Sequence, residues 1–242
     1  MTASKADEFR AVFSPDGGRV AFSVENRFYT MPSAGGVETL VCTDCGPSVV
    51  EWSLDGRKLL FYRGNPIRHG TVNLATGEKR DVASHPTADV HNARISPDGR
   101  WITFTLVGVG TRVIYVASLG DGAGGKPESW IRISAEGRAQ SSFWSPDGNL
   151  LYIHQGDALW GRKLQPVTKT PIGEPFLVQR FNGPRFSAVF SSNGFAKNAL
   201  YFMMQETTSN IWIADPVSGR AGVGSSCCSH RPLKSSHSHR RF

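Results

Sequence analysis

One short phrase returns five times along the chain, and its spacing constrains the fold more than any other feature. It reads Phe13-Ser-Pro-Asp-Gly17, Trp52-Ser-Leu-Asp-Gly56, Ile95-Ser-Pro-Asp-Gly99, Trp144-Ser-Pro-Asp-Gly148 and, in degraded form, Phe190-Ser-Ser-Asn-Gly194. Measured between Asp16, Asp55, Asp98, Asp147 and Asn193, the steps are 39, 43, 49 and 46 residues. A period in the forties is that of a four-stranded propeller blade. The chemistry of the phrase is that of a turn: proline presets φ, Asp or Asn bonds back to nearby backbone, and glycine accepts positive φ. Asp16, Asp55, Asp98, Asp147 and Asn193 are therefore expected to be structural turn residues, with no array of metal ligands among them.

Each turn is followed by short apolar runs with strand-like alternation. The second strands are expected at Arg19–Phe22, Lys58–Phe61, Trp101–Phe104, Leu150–Ile153 and Ala199–Phe202. Third strands follow at Phe28–Met31, Thr71–Leu74, Val113–Val116, Leu159–Trp160 and Asn210–Ile213, and fourth strands at Glu38–Val41, Lys79–Val82, Trp130–Ile133 and Pro175–Val178. No segment has a helical period. Three positions before each serine of the phrase stand Ala11, Val50, Ala93, Ser142 and Ala188, a column of small residues that suits an innermost strand where blades converge.

The repeated phrase and its following strands resemble the TolB-like propeller repeat, related in style to WD-type repeats, over residues 9 to about 215. The resemblance implies an all-β propeller of four-stranded antiparallel blades. Repeats fall near 9–42, 47–84, 90–134, 139–180 and 185–215, after a polar lead of residues 1–8. The fifth repeat lacks an outer strand, so the sequence reads as an incomplete propeller, a piece of a longer one. Its last unit, Lys197 to Asp215, also resembles propeller sensor regions attached to bacterial serine/threonine protein kinases.

Charge is unevenly placed. The chain carries 27 Lys and Arg against 20 Asp and Glu, for a net charge of +7. Five of the basic residues, Arg220, Arg231, Lys234, Arg240 and Arg241, lie beyond Asp215, where there is no acid. Removing them leaves 22 against 20, so the repeats are close to neutral and give no specific nucleic-acid signal. Residues 217–242 read as a disordered basic tail rich in Ser, His and Arg. There is no run of 18 apolar residues and hence no membrane-spanning helix. The first ten residues lack the apolar core of an export signal. As written the chain reads as cytoplasmic, or as extracytoplasmic if it belongs to a longer exported protein.

Catalytic constellations are absent from the sequence. It has no Gly-x-Ser-x-Gly elbow, no His-Arg-Asp loop and no Asp-Phe-Gly metal ligand. Cys42-Thr-Asp-Cys45 has metal-like spacing, but its would-be partners are the adjacent Cys227 and Cys228, a poor tetrahedral pair. No helix follows to lower a thiol pKa. These cysteines read as incidental loop residues, and the histidines as solvated or loop residues; no cofactor and no metal is expected.

What remains is a surface. In a four-stranded meander the connections entering the first strand and joining the second to the third lie on one face, opposite the Pro-Asp-Gly turns. The candidate binding residues on that loop face are Arg27, Arg63, Arg68, His69, His91, Asn92, Gln140, His154, Arg185 and Glu206. They accompany Arg10, Glu25, Asn26, Asn65, Asp157 and Gln205. The sequence thus points to a non-catalytic binding or scaffold module that recognises a protein segment or a small ligand. The alternatives are the sensor portion of a serine/threonine kinase and the propeller gate of a prolyl-peptidase-like hydrolase.

Overall fold

The computed structural model describes residues 9–120, 127–137, 139–181, 186–196 and 199–206, with residues 9, 10 and those from 186 onward described by backbone alone. The lead 1–8, the tail 217–242, Arg185 and the expected strand 210–213 lie outside the described residues. The chain forms an all-β propeller of antiparallel four-stranded blades, each a simple meander. Blade 1 holds β1 (Phe9–Phe13), β2 (Arg19–Val24), β3 (Arg27–Pro32) and β4 (Thr39–Cys42). Blade 2 holds β5 (Ser48–Trp52), β6 (Lys58–Arg63), β7 (Arg68–Asn73) and β8 (Lys79–Ala83). Blade 3 holds β9 (Asp89–Ile95), β10 (Trp101–Gly108), β11 (Thr111–Ser118) and β12 (Ile131–Arg132), and blade 4 holds β13 (Ala139–Trp144), β14 (Leu150–Gln155), β15 (Ala158–Lys163) and β16 (Phe176–Arg180). A two-stranded sheet follows, β17 (Phe186–Ala196) with β18 (Ala199–Glu206).

The four intact phrases close the same turn. In each, the aspartate Oδ1 accepts from the serine hydroxyl and from the N–H two residues on, at 2.6 and 3.0 Å for Asp16 and Asp55 and 2.5 and 3.1 Å for Asp98 and Asp147. The same serine oxygen accepts from the N–H that opens the second strand. The turn needs φ near +70° at its glycine, and Gly17, Gly56, Gly99 and Gly148 supply 67° to 70°. The two bonds hold Asp16, Asp55 and Asp147 below the usual carboxylate range. At Asp98 partial burial pushes the other way, and the bonds from Ser96 and the Arg100 N–H prevail.

The fifth phrase does not make this turn. Asn193 pairs opposite Phe202 inside the β17–β18 ladder, with a register shift between Val189 and Asn193. The backbone runs on through this phrase as strand β17.

Apolar burial is organised at the seams between blades. One cluster joins Phe28 and Ala21 of blade 1 to Trp52, Leu59 and Phe61 of blade 2. A second joins Leu60 and Val82 to Ala93, Ile102, Phe104 and Trp130 of blade 3. A third joins Ile114 and Val116 to Trp144, Leu151 and Ile153 of blade 4. Of the small-residue column, Val50, Ala93 and Ser142 are buried, whereas Ala11 is exposed and Ala188 is described by backbone alone.

The cysteines depart from expectation. Cys42 and Cys45 form a disulfide with a Cα–Cα separation of 6.0 Å, buried in the first seam. Asp44 at φ 54° and Gly46 at φ 122° fold the link between blades 1 and 2 sharply enough to bring the two residues together. A structural bridge needs only that approach, not the helix that a redox-active pair calls for.

Candidate binding site at the seam between blades 2 and 3

Hydrogen bonds across the three seams show one register used in different ways. At the first, the Trp52 indole N–H donates to the Val12 carbonyl at 2.9 Å, and the Arg19 guanidinium lies 5.9 Å from the centre of the indole. At the third, the Trp144 indole N–H donates to the Arg94 carbonyl at 3.1 Å, with Lys169 Nζ 6.0 Å from that ring. Val12 and Arg94 stand at the same position of their repeats, as do Trp52 and Trp144. In blade 3 the tryptophan's place is taken by Ile95. There the link runs through Glu51 instead: its Oε1 accepts from the Ile95 N–H, and its Oε2 lies 3.7 Å from Arg94 Nη1. Burial pushes the Glu51 carboxyl above its ordinary range, opposed by Arg94 and by the Ile95 N–H.

This second seam is open at both ends. On the loop face a cavity of about 220 Å3 is lined by Val50, Tyr62, Ile67 and His69 of blade 2 and by His91, Asn92 and Arg94 of blade 3. Its roof is pinned across the seam, since the Ile67 N–H donates to Asp89 Oδ1 at 2.7 Å and the Val90 N–H to the Ile67 carbonyl at 2.8 Å. His91 Nε2 lies 3.8 Å from Asp89 Oδ2. The β6–β7 hairpin places Arg63 and Arg68 opposite each other, and Asp81 holds both, at 2.8 and 3.9 Å.

The structure therefore brings together His69, His91 and Asn92, with Arg63 and Arg68 on the hairpin that carries His69. Asn92 sits at a β-bulge with φ 53°, and its Nδ2 donates to the Gln140 carbonyl of blade 4 at 2.7 Å. That ties Gln140 to blade 3 by its main chain. Arg27 stands apart, exposed beyond a two-residue hairpin in which Glu25 and Asn26 both have positive φ. Two histidines are not solvated: His69 and His154 are buried in β7 and β14. Burial pushes the His154 pKa down to about 4, against the bond between its Nε2 and the Gly156 carbonyl. Their places in the strands keep both imidazoles from solvent, His69 in the wall of the seam cavity, which a count of loop positions does not register. Glu206 ends β18 and is described by backbone alone.

No group of three or more His, Cys, Asp or Glu side chains suited to holding a metal ion occurs among the described residues. In the sequence His69 stands apart from His91 and Asn92 with nothing to group them, and Arg94 and Tyr62, which also line the cavity, carry no signal there.

Fold and seams together define a β-propeller. No family model matches the chain, nor does any curated protein. Among solved structures it is similar to a protein described as TolB from Agrobacterium tumefaciens, with 16% identity over 84% of this chain and 72% of that one and a TM-score of 0.62. It is also similar to TolB from Acinetobacter baumannii, with 18% identity, 85% and 53% coverage and a TM-score of 0.53. A chain in the nidogen/laminin complex gives 11% identity, 79% and 70% coverage and a TM-score of 0.56. The chain thus spans about half the length of the Acinetobacter protein. At these identities the likeness is one of fold.

Proposed function

We propose that the chain is a non-catalytic binding module that recognises a protein segment on its loop face, at the mouth of the seam between blades 2 and 3. The observation that carries this reading is the cavity where His69, His91, Asn92 and Arg94 converge, flanked by the exposed Arg68. Loops and strand ends on a rigid scaffold are common places for recognition. A mixed set of imidazole, amide, guanidinium and phenol groups offers both hydrogen bonds and an aromatic wall to an extended peptide. A structural neighbour from the nidogen/laminin complex sits in a protein–protein assembly, which supports a protein partner over a small ligand. The kinase-sensor and peptidase-gate readings have no such support, and most of the segment that suggested the first lies outside the described residues.

The test is selection of peptides from a random displayed library on the folded chain, followed by titration against variants. His91→Ala and Arg68→Glu are expected to weaken the selected peptides roughly tenfold or more, the scale of a lost charged hydrogen bond. Asp55→Asn, on the opposite face, is expected to leave them unchanged. Peptides indifferent to both loop-face variants, or no enrichment at all, would contradict the proposal.

A further inference from the structure

The other end of the same seam holds a larger cavity, on the turn face and independent of the loop-face reading. It measures about 460 Å3, within the range of small-molecule pockets, and is lined by Leu54, Lys58, Arg80, Val82, Ile95 and Leu119 together with parts of the two flanking turns. The repeat register says what is missing from it. At the first seam three groups act together: a main-chain carbonyl at Val12, an indole from Trp52 and a cation, Arg19, over the ring. Counting through the repeats, the second-seam equivalents are the carbonyl of Glu51, the side chain of Ile95 and the cation Lys58. Lys58 and Ile95 both line the cavity. Two of the three positions of the frame thus face the cavity, and the indole is not supplied by the chain.

Two further observations agree. At the third seam the position equivalent to Arg19 is Trp101, yet a cation still reaches the indole, because Lys169 arrives from a different loop. Stacking of a cation on the ring is thus kept at both filled seams, and at the unfilled one the cation stands without a ring. In addition, blade 2 alone among the four intact phrases replaces proline with leucine, and Leu54 is 61% exposed at the cavity rim. An apolar side chain left in water there gains burial when a ligand enters.

We infer that the turn-face cavity between blades 2 and 3 binds a free bicyclic aromatic molecule bearing an N–H donor, an indole-class ligand that occupies the place filled by Trp52 and Trp144 in the neighbouring seams. Lys58 faces the ring, Val82, Ile95 and Leu119 pack its edge, and the Glu51 carbonyl is the acceptor. The charges lining the cavity, Asp55 and Asp98 against Lys58 and Arg80, balance, which suits a neutral ligand.

Titration of the full chain with indole, followed by calorimetry and by amide shifts in NMR, tests this. Saturable binding with shifts centred on Leu54, Ile95 and Leu119 is expected, and Ile95→Trp, which supplies the ring from within, is expected to abolish it. 1-Methylindole, which has no N–H, should bind roughly fivefold more weakly, the scale of one hydrogen bond. Lys58→Ala, at an exposed position that the fold does not depend on, should weaken indole about fivefold through loss of the cation–π contact. This second variant keeps the test decisive should Ile95→Trp fail to fold. Absence of saturable binding up to the solubility limit of indole would overturn the inference. So would full affinity in folded Ile95→Trp, equal affinity for 1-methylindole together with an inert Lys58→Ala, or tighter binding of N-acetyltryptophanamide than of indole, which would make the occupant a peptide.

Discussion

The seam between blades 3 and 4 and the seam between blades 2 and 3 share a register and differ in what fills it. In the first, Trp144 crosses to the Arg94 carbonyl beneath Lys169, the Thr103 and Ser142 hydroxyls meet at 2.7 Å, and the Gln140 carbonyl accepts from both Asn92 and Thr105. In the second, Ile95 stops short and a carboxylate, Glu51, makes the crossing. Apolar packing persists in its middle around Leu60, Ala93 and Phe104, but each end is left as a cavity. The repeat thus sets the hydrogen-bonding frame, and one side chain per repeat decides whether an indole or a carboxylate crosses the seam.

That contrast can be broken from the solid side. Trp144 is buried, and Trp144→Ala should cost about 3–5 kcal/mol, the range for large-to-small changes in cores, whereas Trp144→Phe should lose closer to the value of one hydrogen bond, about 1 kcal/mol. Equilibrium denaturation of the two variants checks both. A pH effect comes next. His154 is pushed down to about 4 in the folded state, while the unfolded chain takes up its proton near 6.5. Stability should therefore fall as the pH drops from about 6.5 to about 4 and lose that dependence below, and His154→Asn should flatten the slope in denaturation midpoints measured across this window.

Removing the buried bridge with Cys42→Ser and Cys45→Ser should lower stability by about 2 kcal/mol, the loop-closure value for so short a ring, and reductant should do the same to the wild type alone. The turns set the lower end of the scale. Asp98→Ala should cost about 1 kcal/mol and Asp98→Asn should be nearly neutral in thermal melts, because Asn keeps an oxygen for the Ser96 hydroxyl and the Arg100 N–H.

The blades were legible in the sequence because turn chemistry is local. Ser, Asp and Gly at fixed offsets close the same bonds wherever they occur, so four hairpins and their strands could be placed from the phrase alone. The degraded phrase at Phe190 misled for the same reason: it keeps the outline of the turn phrase with its Asn-Gly pair, yet strand pairing with β18 prevails. The Cys42–Cys45 bridge was not legible, since it depends on positive φ at Asp44 rather than on residue type. The site was half legible. His69, His91 and Asn92 could be assigned to one face, but their convergence requires two blades to meet, and Arg94 and Tyr62 reach the cavity from strands, not loops. The substitution of Ile95 for tryptophan was visible all along as a gap in a column whose purpose only packing reveals.

Recognition at the open seam is tested most directly by hydrogen–deuterium exchange of the chain with and without a selected peptide. Protection is expected in the β6–β7 hairpin and at the start of β9, around Ile67–His69 and His91–Arg94, with blade 4 unchanged. Protection confined to β13–β16, or to the turns around Asp16 and Asp147, would contradict it.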